Sequence, residues 1–430
     1  MRVLLRAGEK VLWILLILIL LASSVAYWVS LWNRLRGTDP SSDFLCYYIA
    51  ARALELQPAA LYDQPRFHAL AEDLGVAPFC PYFRYPPALA ELLRPLTLLP
   101  PMQAFRLWTM LQLALLLFLI LLGSRWLRRE PLRVRWLLPL LACTPPVADT
   151  LLLGQVNIFL LLFLLPAMSV RTGQGPVGEL LRGIGIGLAA HLKPVWGLLL
   201  LWEVRHRRLR SVAAGLGATV ALWGGAIAHL GPGVLRAYLA SLGPAHHLDN
   251  LLLTGLDGSL WGAAASLFGL YQTGRPPGWS EASEAQVFRP ALASVPWLAL
   301  ALPVAAGLAL LWGSLGRVPE DERWDRASLL AVTWIMAETP HSGGHALVLL
   351  FPVFLFLARE WPTLRGFQRQ LLWAGCALLP LPVWLLVRRA IHPLALGAVF
   401  LVAGRLGLWV VLRTLPGQRA VPVDPAGQVV

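Results

Sequence analysis

Stretches of about 20 apolar residues recur along the whole chain, separated by polar or basic segments. That is the length an α-helix needs to cross the hydrocarbon core of a bilayer. The stretches lack the period-two alternation of barrel strands, so transmembrane helices are the regular structure open to them in lipid. Of the 430 residues, 57% are hydrophobic and 14% charged, too few charges to clothe a soluble surface of that size. The sequence predicts an all-α, polytopic membrane protein. One membrane domain covers 1–415, and 416–430 reads as a disordered cytoplasmic tail. No soluble domain or internal repeat is evident.

The net charge of +13 would suggest nucleic acid in a soluble chain. Here the basic residues gather at the ends of apolar runs, which excludes a nucleic-acid partner and instead sets orientation. Clusters at Arg2/Arg6/Lys10, Arg125–Arg135, Arg171/Arg182, Arg205–Arg210, Arg317–Arg326, Arg359–Arg369 and Arg413/Arg419 are assigned to the cytoplasm. The long segments 34–103 and 231–290 then lie outside. The crossings that satisfy this are 11–33, 104–124, 136–152, 154–170, 181–192, 194–204, 210–230, 291–314, 327–340, 344–358, 369–387 and 391–412. That makes about twelve transmembrane helices with both termini cytoplasmic. The first run, behind Arg2, Arg6 and Lys10, reads as a retained helix rather than a cleaved signal. Segment 181–204 has two readings. Lys193-Pro194 either divides two short helices or kinks a single one.

On this topology the polar residues of the apolar segments collect at one outer face. They are Thr38–Tyr48, Tyr62-Asp63, Arg84-Tyr85, Gln155, Asn157, Lys193, Asp257, Ser259 and Glu338–His345. Such a gathering is a functional-site hypothesis. Each member also has a plainer reading. Asp43 fits a helix N-cap, Arg84 fits the headgroup layer, and Asp257-Gly-Ser259 fits a turn. His341 and His345 are four apart, but Ser-Gly-Gly between them favours a loop over a helical metal pair, and no metal is expected. Cys46 and Cys80 share the first outer loop and are candidates for a disulfide in an oxidising compartment.

The order of these elements resembles glycosyltransferase family 87, membrane transferases of the GT-C superfamily that use polyprenyl-phosphate sugars. The elements are Asp43-Phe44-Leu-Cys-Tyr47-Tyr48-Ile-Ala50-Ala51, Leu61-Tyr62-Asp63, Phe83-Arg-Tyr85-Pro86-Pro87 and Gly154-Gln155-Val-Asn157. After them come Gly183-Ile-Gly-Ile-Gly187-Leu-Ala-Ala190-His-Leu-Lys193-Pro194 and Asp257-Gly-Ser259-Leu260-Trp-Gly262. The chain departs from the family's Ser-Pro-x-Ser-Trp-x-His-His element. It reads Thr339-Pro340-His341-Ser342-Gly343-Gly344-His345-Ala346, so mannose cannot be carried over as the sugar.

The resemblance implies a GT-C-type fold with a long first non-cytoplasmic loop. It also implies a multi-pass cell-membrane enzyme of the cell envelope, such as a mannosyltransferase or another hexosyl- or pentosyltransferase. The donor is a polyprenyl-phosphate-linked sugar, and the acceptor is a hydroxyl on a glycolipid or glycan. Inverting transfer needs a carboxylate to take the acceptor's proton and cations to receive the departing phosphate. Asp43 is the expected base, with Lys193, Arg84 and His345 around the phosphate. Tyr47, Tyr48, Tyr85, Gln155, Asn157, Asp257, Ser259 and His341 are the expected substrate contacts. Two other classes share parts of this pattern. A transporter or flippase of a lipid-linked glycan also needs cations beside a lipid phosphate, and an inactive lipid-binding relative fits the altered histidine element.

Overall fold

The computed structural model describes residues 18, 21–38, 40, 42–76, 83–130, 132–169, 175–241, 325–338, 344–364, 366, 368, 369 and 405–413. Among the described residues the regular structure is helical, with no strand. Helix α1 covers 21–36. Three helices, α2 (Ser42–Leu56), α3 (Gln64–Asp73) and α4 (Pro87–Leu93), build the expected outer segment. The bundle follows with α5 (Pro101–Trp126), α6 (Leu132–Ala142), α7 (Pro145–Leu153), α8 (Asn157–Met168), α9 (Gly175–Leu192), α10 (Leu198–Arg205), α11 (Leu209–Leu230) and α12 (Gly233–Ser241). Helices α13 (Arg326–Glu338), α14 (Phe351–Glu360) and α15 (405–413) complete the described chain.

Four segments are long and apolar enough to cross a membrane among the described residues: Pro101–Trp126, Val134–Leu153, Leu209–Leu230 and Ala346–Thr363. They coincide with the expected crossings 104–124, 136–152, 210–230 and 344–358. Asn157–Met168 is a shorter apolar helix. The expected crossing at 291–314 and most of those at 369–387 and 391–412 lie outside the described residues.

Proline sets several helix starts. Pro145 is an early residue of α7, where its missing N–H costs no bond and its fixed φ suits a first turn. That restart divides the segment read as one crossing at 136–152 into α6 and α7. The chain also breaks at Lys193-Pro194. Helix α9 ends at Leu192, a 3₁₀ turn covers Pro194–Gly197, and α10 begins at Leu198. Lys193 has extended backbone at φ −137°, ψ 105°, the geometry that a following proline imposes.

Helix α9 is the hub, packed on α11 on one side and α8 on the other. Gly183 and Gly187, one turn apart, face α11. A Cβ at Gly187 would lie 2.5 Å from the Gly215 carbonyl, and one at Gly183 would meet the Ser211 carbonyl. This small-xxx-small spacing lets two backbones touch without a hydrophobic driving force.

A charged cluster closes one end of the bundle. Arg182 Nη1 lies 2.8 Å from Asp325 Oδ2 and 3.4 Å from Glu203 Oε1, and Arg208 Nη1 lies 2.6 Å from Asp325 Oδ2. Arg182 also donates to the Ala167 and Ser169 carbonyls at the end of α8. Arg182 and Glu203 are buried, and burial of a charge is tolerable only when it is matched in this way. Neither Glu203 nor Asp325 was singled out in the sequence. The signal was an acid at the end of an apolar run, beside arginines.

Candidate active site

The site is assembled at the other end of α8, around the turn Gly154-Gln155-Val-Asn157. Helix α7 ends on Gly154, whose φ of 71° is left-handed, a conformation that glycine adopts freely. Its carbonyl accepts a hydrogen bond from Trp108 Nε1 at 2.8 Å. Gln112, with its amide turned to satisfy both neighbours, donates to the Gln155 carbonyl at 2.7 Å. Two side chains of α5 thus hold the backbone of the turn. Gln112 was missed in the sequence, although a buried amide inside an apolar span is a signal of this kind.

From that turn two side chains reach in different directions. Gln155 Nε2 donates to Asp43 Oδ2 at 2.6 Å. Asn157 Oδ1 accepts from Lys193 Nζ at 3.0 Å. One short loop therefore carries both the expected base and the expected cation, and the charge of Lys193 acts on Asp43. Asp43 is the second residue of α2, inside the helix rather than capping it, where the helix N-terminus favours a carboxylate. Asp43, Arg84, Tyr85 and Lys193 are half-buried rather than sealed in the core. The surrounding protein nonetheless encloses the Asp43 carboxyl. Burial pushes it above the ordinary aspartate range, against the Gln155 hydrogen bond and the Lys193 charge, which pull it down.

Around Gln155 stand two tyrosines. Tyr47 and Tyr85 hydroxyls lie 2.9 Å apart, each 3.2 Å from Gln155 Oε1, with the rings edge to face at 5.0 Å. Tyr62 donates to the Tyr85 carbonyl at 2.8 Å, which fixes the Phe83-Arg84-Tyr85 strip. Arg84 lies close enough for its charge to act on the Tyr85 phenol. Tyr48 is spent on structure at its hydroxyl, which donates to the Leu99 carbonyl at 2.9 Å.

Of the remaining expected contacts, Asp257, Ser259 and His341 lie outside the described residues, as does the side chain of His345. The 3₁₀ segment Gly344–Leu350, which contains His345, packs on α7 and α8, the helices flanking the Gln155 turn. Cys46 is disulfide-bonded and Cys80 lies outside the described residues; Cys143 is a free thiol. Among the described residues no three His, Cys, Asp or Glu side chains are gathered as metal ligands would be.

The arrangement can take a proton at Asp43 and keeps the Lys193 cation near enough for its charge to act on that carboxyl. Residues 83–340, more than half of the chain, match the model of the family described as glycosyltransferase family 87. The match includes Arg84, Tyr85, the Gln155 turn and Lys193, and begins beyond Asp43. No curated protein and no solved structure matches the chain.

Proposed function

The chain belongs to glycosyltransferase family 87, and from that premise we propose that it moves one sugar from a polyprenyl-phosphate donor to a hydroxyl of a glycan or glycolipid, with inversion at the anomeric carbon. The observation that carries this reading is the Gln155 turn, from which Gln155 bonds Asp43 and Asn157 bonds Lys193. Asp43 takes the acceptor's proton. The acceptor oxygen forms its bond to sugar C1 from the face opposite the phosphate. The bond from C1 to the phosphate oxygen breaks, and the lipid phosphate leaves with one more negative charge than it carried in the donor. Lys193 supplies a point charge for it, and Arg84 and His345 supply further donors. Donor and acceptor both contain several hydroxyls, and Asn157, Asp257, Ser259 and His341 are the contacts assigned to them.

The reaction is assigned to the non-cytoplasmic face of a cell membrane, in a single domain over 1–415 with about twelve crossings and both termini inside. Support comes from helix α8. The Asp43–Lys193 site stands at its first turn and the Arg182 cluster, part of the basic flank assigned to the cytoplasm, at its last.

The test is Asp43→Asn in purified protein supplied with radiolabelled polyprenyl-phosphate mannose, glucose or arabinose and a membrane glycolipid extract. Turnover is expected to vanish while donor binding persists. Near-normal turnover in the variant would end the proposal.

A further inference from the structure

Gln155 is almost wholly buried, and the two ends of its amide have different partners. Nε2 points at Asp43 Oδ2, 2.6 Å away. Oε1 receives the hydroxyls of Tyr47 and Tyr85, both at 3.2 Å. Each hydroxyl carries one proton, and the 2.9 Å between them lets Tyr47 donate to Tyr85 while Tyr85 donates to the amide. Burial raises both phenols, Tyr47 far above its ordinary value and Tyr85 to about 12, so both remain donors at any physiological pH. Turning the amide over would bring Oε1 against an ionised carboxylate with no proton between them, which is repulsive. The Asp43 carboxylate, which can only accept, therefore dictates the orientation, and the two phenol hydroxyls, which can donate or accept, follow it by donating to Oε1. Asp43 Oδ1 has no such partner among the described residues.

We propose that Gln155, supported by Tyr47 and Tyr85, is the positioning residue of the base: it occupies Asp43 Oδ2 and leaves Oδ1 as the oxygen that takes the acceptor's proton. This rests on the assignment of Asp43 as base. The proton passes from the acceptor hydroxyl to Oδ1 while the acceptor oxygen bonds to sugar C1. Oδ2 is then the carbonyl oxygen of a carboxylic acid and still accepts from Nε2. No member of the network turns during the transfer, so the donors are in place before charge moves. The three side chains then serve the substrate through Asp43, not by touching the sugar with these polar atoms.

A positioning role and a substrate contact separate kinetically. Gln155→Leu is expected to lower kcat about 30-fold, the scale of one hydrogen bond to a charged group, and to leave the KM for polyprenyl-phosphate sugar within about threefold. The same variant removes a hydrogen bond that lowers the Asp43 pKa. Turnover needs the ionised carboxylate, so activity falls as pH falls through that pKa, and this acid limb moves to higher pH. Tyr85→Phe, a milder change, moves kcat and the acid limb in the same directions by less. A raised donor KM with unchanged kcat would assign Gln155 to the substrate and overturn the proposal. So would loss of kcat with an acid limb that stays put in both variants. Turnover by Asp43→Asn fails the underlying assignment instead, and a dead Asp43→Asn beside a normal Gln155→Leu fails this inference alone.

Discussion

Replacing Gly154 by alanine adds one carbon where the chain has room for none. The residue sits at φ 71°, and an L-residue with a Cβ holds that conformation at a cost of about 1–2 kcal/mol. The added Cβ falls 2.7 Å from Phe44 Cβ and 3.5 Å from its Cα. Phe44 is enclosed on all sides, so overpacking adds about 1–3 kcal/mol. The expected loss is about 2–5 kcal/mol in all. Part of the strain is relieved by moving α2, and Phe44 adjoins Asp43. A displacement of about 1 Å at a reacting group costs on the order of 100-fold in rate. Gly75→Ala is the control. It has φ 65° with nothing within 4 Å of the new carbon, so only the backbone cost applies. Thermal denaturation in detergent and turnover are measured for both variants. Gly154→Ala is expected to melt below Gly75→Ala and to turn over far more slowly. Equal melting and equal turnover would refute the reasoning.

Other expectations follow from the same contacts. Lys193→Met should weaken donor affinity at least tenfold and move the acid limb of turnover to higher pH, because the charge it removes lowers the Asp43 pKa; Lys193→Arg should restore only part of the affinity, and wild-type binding by Lys193→Met would remove the lysine from the phosphate site. Gly187→Val should separate α9 from α11, lowering thermal stability by about 1–3 kcal/mol; a melt like that of the parent would show that the helices are not in backbone contact there. In a Cys143→Ser background, Glu72→Cys on α3 should react with an impermeant thiol reagent in intact cells and Arg205→Cys only after lysis, and the reverse pattern would invert the topology.

The helices were legible because apolar length and flanking arginines are properties of adjacent residues. The break at Lys193-Pro194 was legible for the same reason, since proline acts on its own neighbours. Asp43 and Lys193 were each found as polar residues beside apolar sequence, and the structure brings their charges within reach of each other. The means by which they are brought together was not legible. Gln155 and Asn157 are polar residues of one short turn, and the direction in which each amide points depends on Asp43, Tyr47, Tyr85 and Lys193, which lie 36 to 112 residues away. Glu203 and Asp325 escaped notice because Arg182 and Arg208, which neutralise them, come from other helices and turns. Pattern along the chain finds the elements, whereas hydrogen-bond direction is a property of their packing.

Helix α8 has 12 residues, which at 1.5 Å each span about 18 Å. A bilayer's hydrocarbon is about 30 Å thick. The Asp43–Lys193 site and the four-charge cluster, at the two ends of α8, are thus closer together than the two faces of a bilayer's hydrocarbon. On the proposed topology at least one of them sits below the level of the headgroups, solvated by neighbouring helices instead of by lipid or bulk water. The hydrophobic mismatch is then internal to the protein. On that topology the hydrophobic layer is thinner beside α8 than at the 26-residue α5.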